Sequence, residues 1–291
     1  MRYNYGLSRL DSSRRIPDET IVSARPGTGF LDVARVERRS VVRRAFATSP
    51  LRLLTPKNHG NAAWVYASSY GGGLLGGDDL RLTVRVGAGA SVFLSSQAST
   101  KIYRSQARSS LQLDATVEGS GQLILWPDPV VCFAGSAFRQ EQRVELAAGA
   151  GLILVDTMSS GRRAFGERWQ FLEYTTRLSV ACDGRPILLD AVRLSPEEGN
   201  LAARMGRFDV LSTVVIAGPR WSDAAEQLLA AVNDRPVERR TDLLIAGSRL
   251  KDDGCLLRVA GRSVEQVTGL VRSCLSCVSA LLNDDPWARK W

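Results

Sequence analysis

Three polar segments interrupt an otherwise apolar-rich chain: YGGGLLGGDDL at 70–80, SSQASTKIYRS at 95–105 and SSGRRAFGERW at 159–169. The first sets Gly72, Gly73 and Gly77 beside the paired acids Asp78 and Asp79. The second places Gln97, Thr100, Lys101, Tyr103 and Arg104 just after an apolar run. The third puts Arg162 and Glu167 around a bend that includes Gly161 and Gly166. Glycine lets backbone come close, and charged groups held beside it can build a buried polar network or an ion path. On that reading Asp78, Asp79 and Glu167 meet a passing cation, and Lys101 and Arg162 balance them. The same acids could serve a hydrolase, but acid and base roles need a geometry that spacing does not supply.

Other motifs fail on context. Gly71–Gly76 matches G-x-G-x-x-G, yet Asp78, Asp79 and a strand pattern follow where a phosphate site needs a helix N-terminus. Cys274-Leu275-Ser276-Cys277 has no second ligand pair, and it lies within a helical pattern, so its thiols read as small core side chains. The single histidine, His59, excludes a multi-histidine metal site and leaves little material for a nucleophilic triad. With no G-x-S-x-G elbow and no Walker loop, the residues describe a binding or scaffold protein, not an enzyme, with no tight metal site.

Charge and composition narrow the class. The 291 residues carry 38 Lys and Arg against 30 Asp and Glu. Residues 1–60 hold twelve of the basic groups and five of the acidic ones. A loose basic arm over residues 1–30 is expected, and the alternative it raises is a basic nucleic-acid-binding β-protein. Few aromatics interleave with that arm, which weakens a base-stacking role. No apolar run approaches the roughly 18 residues of a membrane span. The opening MRYNYGLSRLDSSRR lacks a secretory apolar segment, and five cysteines fit a reducing compartment, so a cytoplasmic location is expected.

The elements that position these clusters are mostly strands. Leu80, Leu82, Val84 and Val86 alternate with polar residues, Gly87-Ala88-Gly89 turns, and Val92-Phe93-Leu94 follows. Leu111 to Val117, Gly119 and Leu123-Ile124-Leu125-Trp126 repeat the device, as do Val144, Leu146, Gly149 and Leu152 to Val155. A fourth unit turns at Asp183-Gly184, and Gly87, Gly119, Gly149 and Gly184 are 32, 30 and 35 residues apart. Such spacing predicts hairpins stacked in a layered architecture, β-helix-like or a sandwich. One mainly β domain over 1–291 is therefore expected, with a C-terminal helical part over 220–285. Ser222 is the expected N-cap of one helix there, and Ser263 with Gln266 caps another. The second carries Val264, Val267, Val271 and Val278 on one apolar seam, a candidate partner-binding face unless the β domain covers it.

In this order and at these separations the blocks resemble the urease accessory protein D family, called protein H in some species. That family shows a GG-x-x-x-GD block, here Gly72-Gly73 with Gly77-Asp78, and a TTQAATK-x-Y-R-S block, here SSQASTKIYRS. A PDP or PQP segment matches Pro127-Asp128-Pro129 of WPDPVVCF, and GR-x-A-x-GE matches GRRAFGERW. The resemblance runs from about residue 30 to 215; the usual proline-arginine-aromatic end is only loosely echoed in DDPWARKW. It implies a mainly β maturation factor with stacked strands and no tightly bound cofactor. Its implied partners are urease apoprotein, accessory protein F and, through F, the GTPase accessory protein G. Nickel would be transient cargo, passed through an internal hydrated tunnel. Ni²⁺ binds imidazole and thiolate tightly, so a relay that must release it suits sparse carboxylates and water.

Overall fold

Two kinds of strand pattern recur along the chain, one alternating and one continuously apolar, and the structure places them in different sheets. The computed structural model describes residues 27–57, 60–236, 238–251 and 253–287. The strands begin with β1 (Thr28–Val36), β2 (Arg39–Ala47), β3 (Leu51–Leu54), β4 (Ala63–Ser69), β5 (Gly73–Leu74) and β6 (Asp79–Val86). Next come β7 (Ser91–Ser96), β8 (Thr100–Ile102), β9 (Ser109–Val117), β10 (Gln122–Leu125), β11 (Val130–Cys132) and β12 (Ala137–Leu146). After them follow β13 (Gly151–Ser159), β14 (Glu173–Cys182), β15 (Arg185–Leu194), β16 (Val210–Ala217), β17 (Leu243–Leu250) and β18 (Gly254–Gly261). The α-helices are α1 (Leu201–Met205), α2 (Ser222–Asn233), α3 (Val264–Cys274) and α4 (Cys277–Leu282).

The first sheet has the order β15-β14-β12-β9-β6-β1-β2, and the second runs β17-β18-β16-β13-β10-β7-β4-β3. Between them the chain winds as a coil. From β6 it crosses to β7, passes short β8 at a corner and returns as β9, which lies parallel to β6. The next turn of the coil, through β10 and β11 to β12, stacks in parallel on the last. Strands of the first sheet bury one face only, hence their alternation. Strands β7, β10 and β13 are covered on both faces, and each carries an unbroken apolar run, Val92 to Leu94, Leu123 to Leu125 and Leu152 to Val155.

This settles which layered form the chain takes. The turns at Gly87, Gly119 and Gly149 do not close hairpins: β6 and β7 belong to different sheets, as do β9 and β10, and β12 and β13. Each is a tight four-residue turn, closed by Ala90 N–H to Gly87 O, Gly121 to Glu118 or Ala150 to Ala147, and each carries one left-handed glycine. A turn this tight sends the next strand across the interior as readily as back beside its predecessor. The Asp183-Gly184 turn does make a hairpin, joining antiparallel β14 and β15 with both residues left-handed.

The layer between the sheets holds Leu82, Val84, Leu94, Leu113, Leu125, Val144 and Leu154. On the outer side of the second sheet, Phe93, Ile124, Ile153 and Ile216 stand in register across four strands. There they meet Leu228 and Leu229 of α2, Val267 and Val271 of α3, and Val278 of α4.

Three expectations change at the C-terminal end. Strands β17 and β18 lie inside the 220–285 segment, which is therefore helix and sheet together. The helix read over 263–282 is two helices: Ser273 Oγ–H donates to Leu270 O, 2.7 Å, in the last turn of α3, and the path breaks at Leu275 and Ser276. The cysteine pair thus flanks a break, with Cys274 ending α3 and Cys277 starting α4, each half-buried with its thiol pKa raised by burial. Ser263 caps α3 through Gln266 N–H, 3.2 Å, whereas Ser222 is already helical and its hydroxyl donates to Pro219 O. Most of the basic arm, residues 1–26, lies outside the described residues, as does His59; Thr28 to Phe30 already belong to β1.

Candidate functional site

The glycine turns occupy one corner of the coil, and the polar segments occupy another. Residues 70–78, 97–108, 127–136 and 160–172 are successive links from the second sheet back to the first. Short β5, β8 and β11 pair in parallel along this corner, with Gly73 facing Lys101 and Lys101 facing Val131. A Cβ at Gly73 would lie 2.5 Å from Lys101 O, so only glycine fits that close approach.

The five candidate charged residues do not form one network among the described residues. Asp78 accepts Leu75 N–H, 2.8 Å, and closes the glycine turn on itself. Asp79 sits on the outer face of the first sheet with Arg81 and Ser110. Partial burial works against its charge, but those two hydrogen bonds and the Arg81 charge keep its carboxyl below the usual range. Lys101 is exposed. Arg162 and Glu167 do pair, and Glu167 also accepts Ala134 N–H, 3.2 Å. The bond from Arg162 holds the Glu167 carboxyl low. That couple anchors the 160–168 loop to the coil before it, and a buried clamp steadies the rest. Asp209, buried, binds Arg163 at 2.8 Å and also Arg168 and Ser160.

The remaining motif residues brace the same corner. Gln97 accepts Ser68 Oγ–H, 2.9 Å, and Thr100 N–H donates to Pro129 O. Tyr103 donates to Gly71 O, and the Asp128 amide donates to Ser96 Oγ at 2.8 Å. Gly72, Gly77, Gly161 and Gly166 all have positive φ.

Behind this corner, between the sheets, lies a cavity of about 120 Å³ walled by Leu82, Leu94, Leu113 and Leu125. Its polar lining comes from Ser96, Thr100, Asp128, Gln140 and Gln142. The volume exceeds the roughly 10–15 Å³ that one water needs. Buried Gln142 Oε1 finds no protein donor, and Gln140 Nε2 donates to Asp156 Oδ2 at 2.8 Å. From there a polar row crosses the second sheet in register, Asp156 beside Thr213 and Thr213 beside Arg258. Opposite it, Thr176 stands beside Gln140 in the first sheet and donates to Asp156. At the far edge Arg258 pairs with Asp190 of β15 and donates to Thr213 Oγ1, 3.2 Å, closing the row.

Asp156 is the residue that the three polar segments leave out. Burial pushes its carboxyl up to about 6, and the Asp190 charge adds to the rise while Gln140 and Thr176 oppose it. It lies between the sheets, half-buried, next to the cavity through its bond from Gln140. Among the described residues no three His, Cys, Asp or Glu side chains group to hold a metal ion. What the interior offers a cation is a few separated carboxylates, Asp128, Asp156 and Asp190, among amide and hydroxyl oxygens, a set suited to passage. The seam residues Val267, Val271 and Val278 are buried in the chain's own outer layer, with Val264 packed at its margin. Of its two possible occupants the seam therefore holds the chain's own sheet, which removes those three valines from any partner surface. No described helix is long and apolar enough to cross a membrane.

The chain matches the family model for the UreD urease accessory protein over residues 26–291. It is 53% identical to a urease accessory protein UreD of Sorangium cellulosum, over 92% of this chain and 86% of that protein. A protein of the same name from Anaeromyxobacter is 48% identical, over 92% and 91% of the two chains. Urease accessory protein D of Oryza sativa subsp. indica is 34% identical, over 72% of this chain and 71% of the plant protein.

Proposed function

This chain belongs to the UreD urease accessory protein family, whose members are accessory proteins and not enzymes, and we propose that it matures urease by conducting nickel between its two sheets. In that role it binds urease apoprotein and accessory protein F, and through F the GTPase protein G, in the cytoplasm. The observation that carries the reading is the polar row from the Ser96–Gln142 cavity through Asp156 to Asp190 and Arg258, inside a fold otherwise walled by leucine and valine. Most of the row is hydrogen-bonded to itself; Gln142 Oε1, buried without a protein donor, is the group in it that a hydrated path would satisfy, since leaving one such group unpaired costs about 1–3 kcal/mol.

The ion moves hydrated past the carboxylates of Asp128 at the cavity, Asp156 between the sheets and Asp190 at the far edge, with the Gln140 and Gln142 amides beside Asp156. Proton and cation compete for Asp156, whose carboxyl is raised to about 6, so conduction weakens as pH falls through that value. Co-expressing the chain with the urease structural and accessory genes, then measuring co-purification and urease nickel content, tests the role. Nickel-replete urease formed equally well without the chain would end it.

A further inference from the structure

The corner that carries the polar segments has a second feature, on its outside. Tyr103, Phe133, Arg162 and Phe165 come from three successive links of the coil, yet they stack into one row. Tyr103 and Phe133 meet edge to face at 5.2 Å, and Arg162 lies 4.1 Å over the Phe133 ring and 5.0 Å from that of Phe165. A glycine makes room for Arg104 beside the row. At Gly135 a Cβ would come 3.1 Å from Arg104, whose side chain lies across the neighbouring link. Phe165 is 75% exposed at one end, and Tyr70 and Leu75 are exposed at the other. Along the same corner Lys101 and Arg104 are exposed and carry no ion pair among the described residues.

Tyrosine, phenylalanine and arginine in a row, with unneutralised cations at the margin, is the composition of a protein-binding patch. A single-stranded nucleic acid would need open ring faces on which bases stack. Here Arg162 covers the face of Phe133, and Glu167 neutralises Arg162. We propose that this corner is a docking face for an acidic protein segment carrying large apolar side chains, which lay against Phe165 and Tyr70 while its carboxylates meet Lys101 and Arg104. The inference names a partner surface for the maturation role and rests on that role. It puts the motif residues on the outside of the molecule, to hold the partner while the interior row does the conducting.

The test replaces Phe165 with photoreactive benzoylphenylalanine in the full chain, with the same replacement at exposed Leu189 on β15 as reference, in cells carrying the urease genes. Irradiation at position 165 is expected to yield adducts with an Asp- and Glu-rich peptide of one protein, at least tenfold above position 189. The double variant K101E/R104E should cut those adducts about tenfold, since marginal charges set encounter and register. Its melting temperature should match the parent's because both side chains are solvated. Adducts with nucleic acid, or equal yields at the two positions, overturn the docking face. If urease components co-purify while the yields are equal, the face is wrong and the maturation role stands. If an acidic peptide from a protein outside the urease system is captured and lost with K101E/R104E, the face stands and the maturation role does not.

Discussion

Strands β7, β10 and β13 face two interiors of opposite character. On the helix side, Phe93, Ile124 and Ile153 pack against α2, α3 and α4 with aromatic neighbours; Phe93 meets Trp287 at 5.6 Å and Trp126 meets it at 4.4 Å. On the other side the same strands begin apolar, with Leu94, Leu125 and Leu154, then turn polar at Ser96 and Asp156. The helix-side face is apolar under α2, α3 and α4, and its few polar side chains near the motif corner pair within the protein, as Thr157 does with Ser212 at 2.8 Å and Ser95 with Trp126 O. The other is apolar at the glycine-turn end and carries amides and a carboxylate towards the motif corner. The dry layer therefore supplies the stability that allows the opposite face of the same sheet to hold amides and a carboxylate.

Charging the dry side should have the largest effect. Val271→Asp would bury an unpaired carboxylate among Val267, Val278 and Leu228, at a cost of several kcal/mol. An insoluble or non-cooperatively melting protein is expected. A soluble variant with a normal melting curve would show that the layer is not dry. Next comes the clamp at the edge of the wet side. Asp209→Ala leaves Arg163 and Arg168 without their shared carboxylate and should cost about 3 kcal/mol, read by denaturant melting; the partial exposure of both arginines keeps it at the low end of buried-pair losses.

On the wet side the sign reverses. The folded chain holds the Asp156 carboxyl at about 6, above its ordinary 3.8, so ionised Asp156 opposes folding. That penalty is absent below about pH 4, grows up to about pH 6 and is constant above it. Asp156→Asn should therefore stabilise the protein on the order of 2 kcal/mol at pH 7.5, by less at pH 5, and by almost nothing near pH 4. A gain independent of pH would mean that Asp156 is not the titrating group. The smallest effect belongs to Asp78→Ala, which removes one exposed turn hydrogen bond to Leu75 N–H and should cost about 1 kcal/mol or less in thermal melting.

Much of this contrast is written in the strand patterns. The alternation of Leu80 to Val86 marks a strand with one wet face, and the unbroken Leu123 to Trp126 marks one covered on both sides. Glycine turns at a near-constant spacing carry the stacking, but a turn alone does not say whether the next strand pairs back or crosses over. Strands β17 and β18 escape notice because their runs are short and lie among helical patterns. Asp78, Asp79 and Glu167 stand out because acids next to glycines are conspicuous, whereas the interior acid sits in an apolar run. Its signal is one of phase. Leu152, Leu154 and Asp156 fall on one face of β13, and Phe138, Gln140, Gln142 and Val144 on one face of β12. Polar residues in the inward phase of a buried strand mark the wet row, and reading them requires knowing which face is inside.

Urease nickel content measured after co-expression with Asp156→Asn, beside Asp78→Ala as the counterpart in the glycine turn, tests the interior path most directly. The expected result is an Asp156→Asn protein that folds at least as stably as the parent and still co-purifies with urease, while the urease it serves holds several-fold less nickel. Asp78→Ala should leave nickel content unchanged. Full nickel loading with Asp156→Asn, or a loss confined to Asp78→Ala, would contradict an interior path and return the function to the exposed corner.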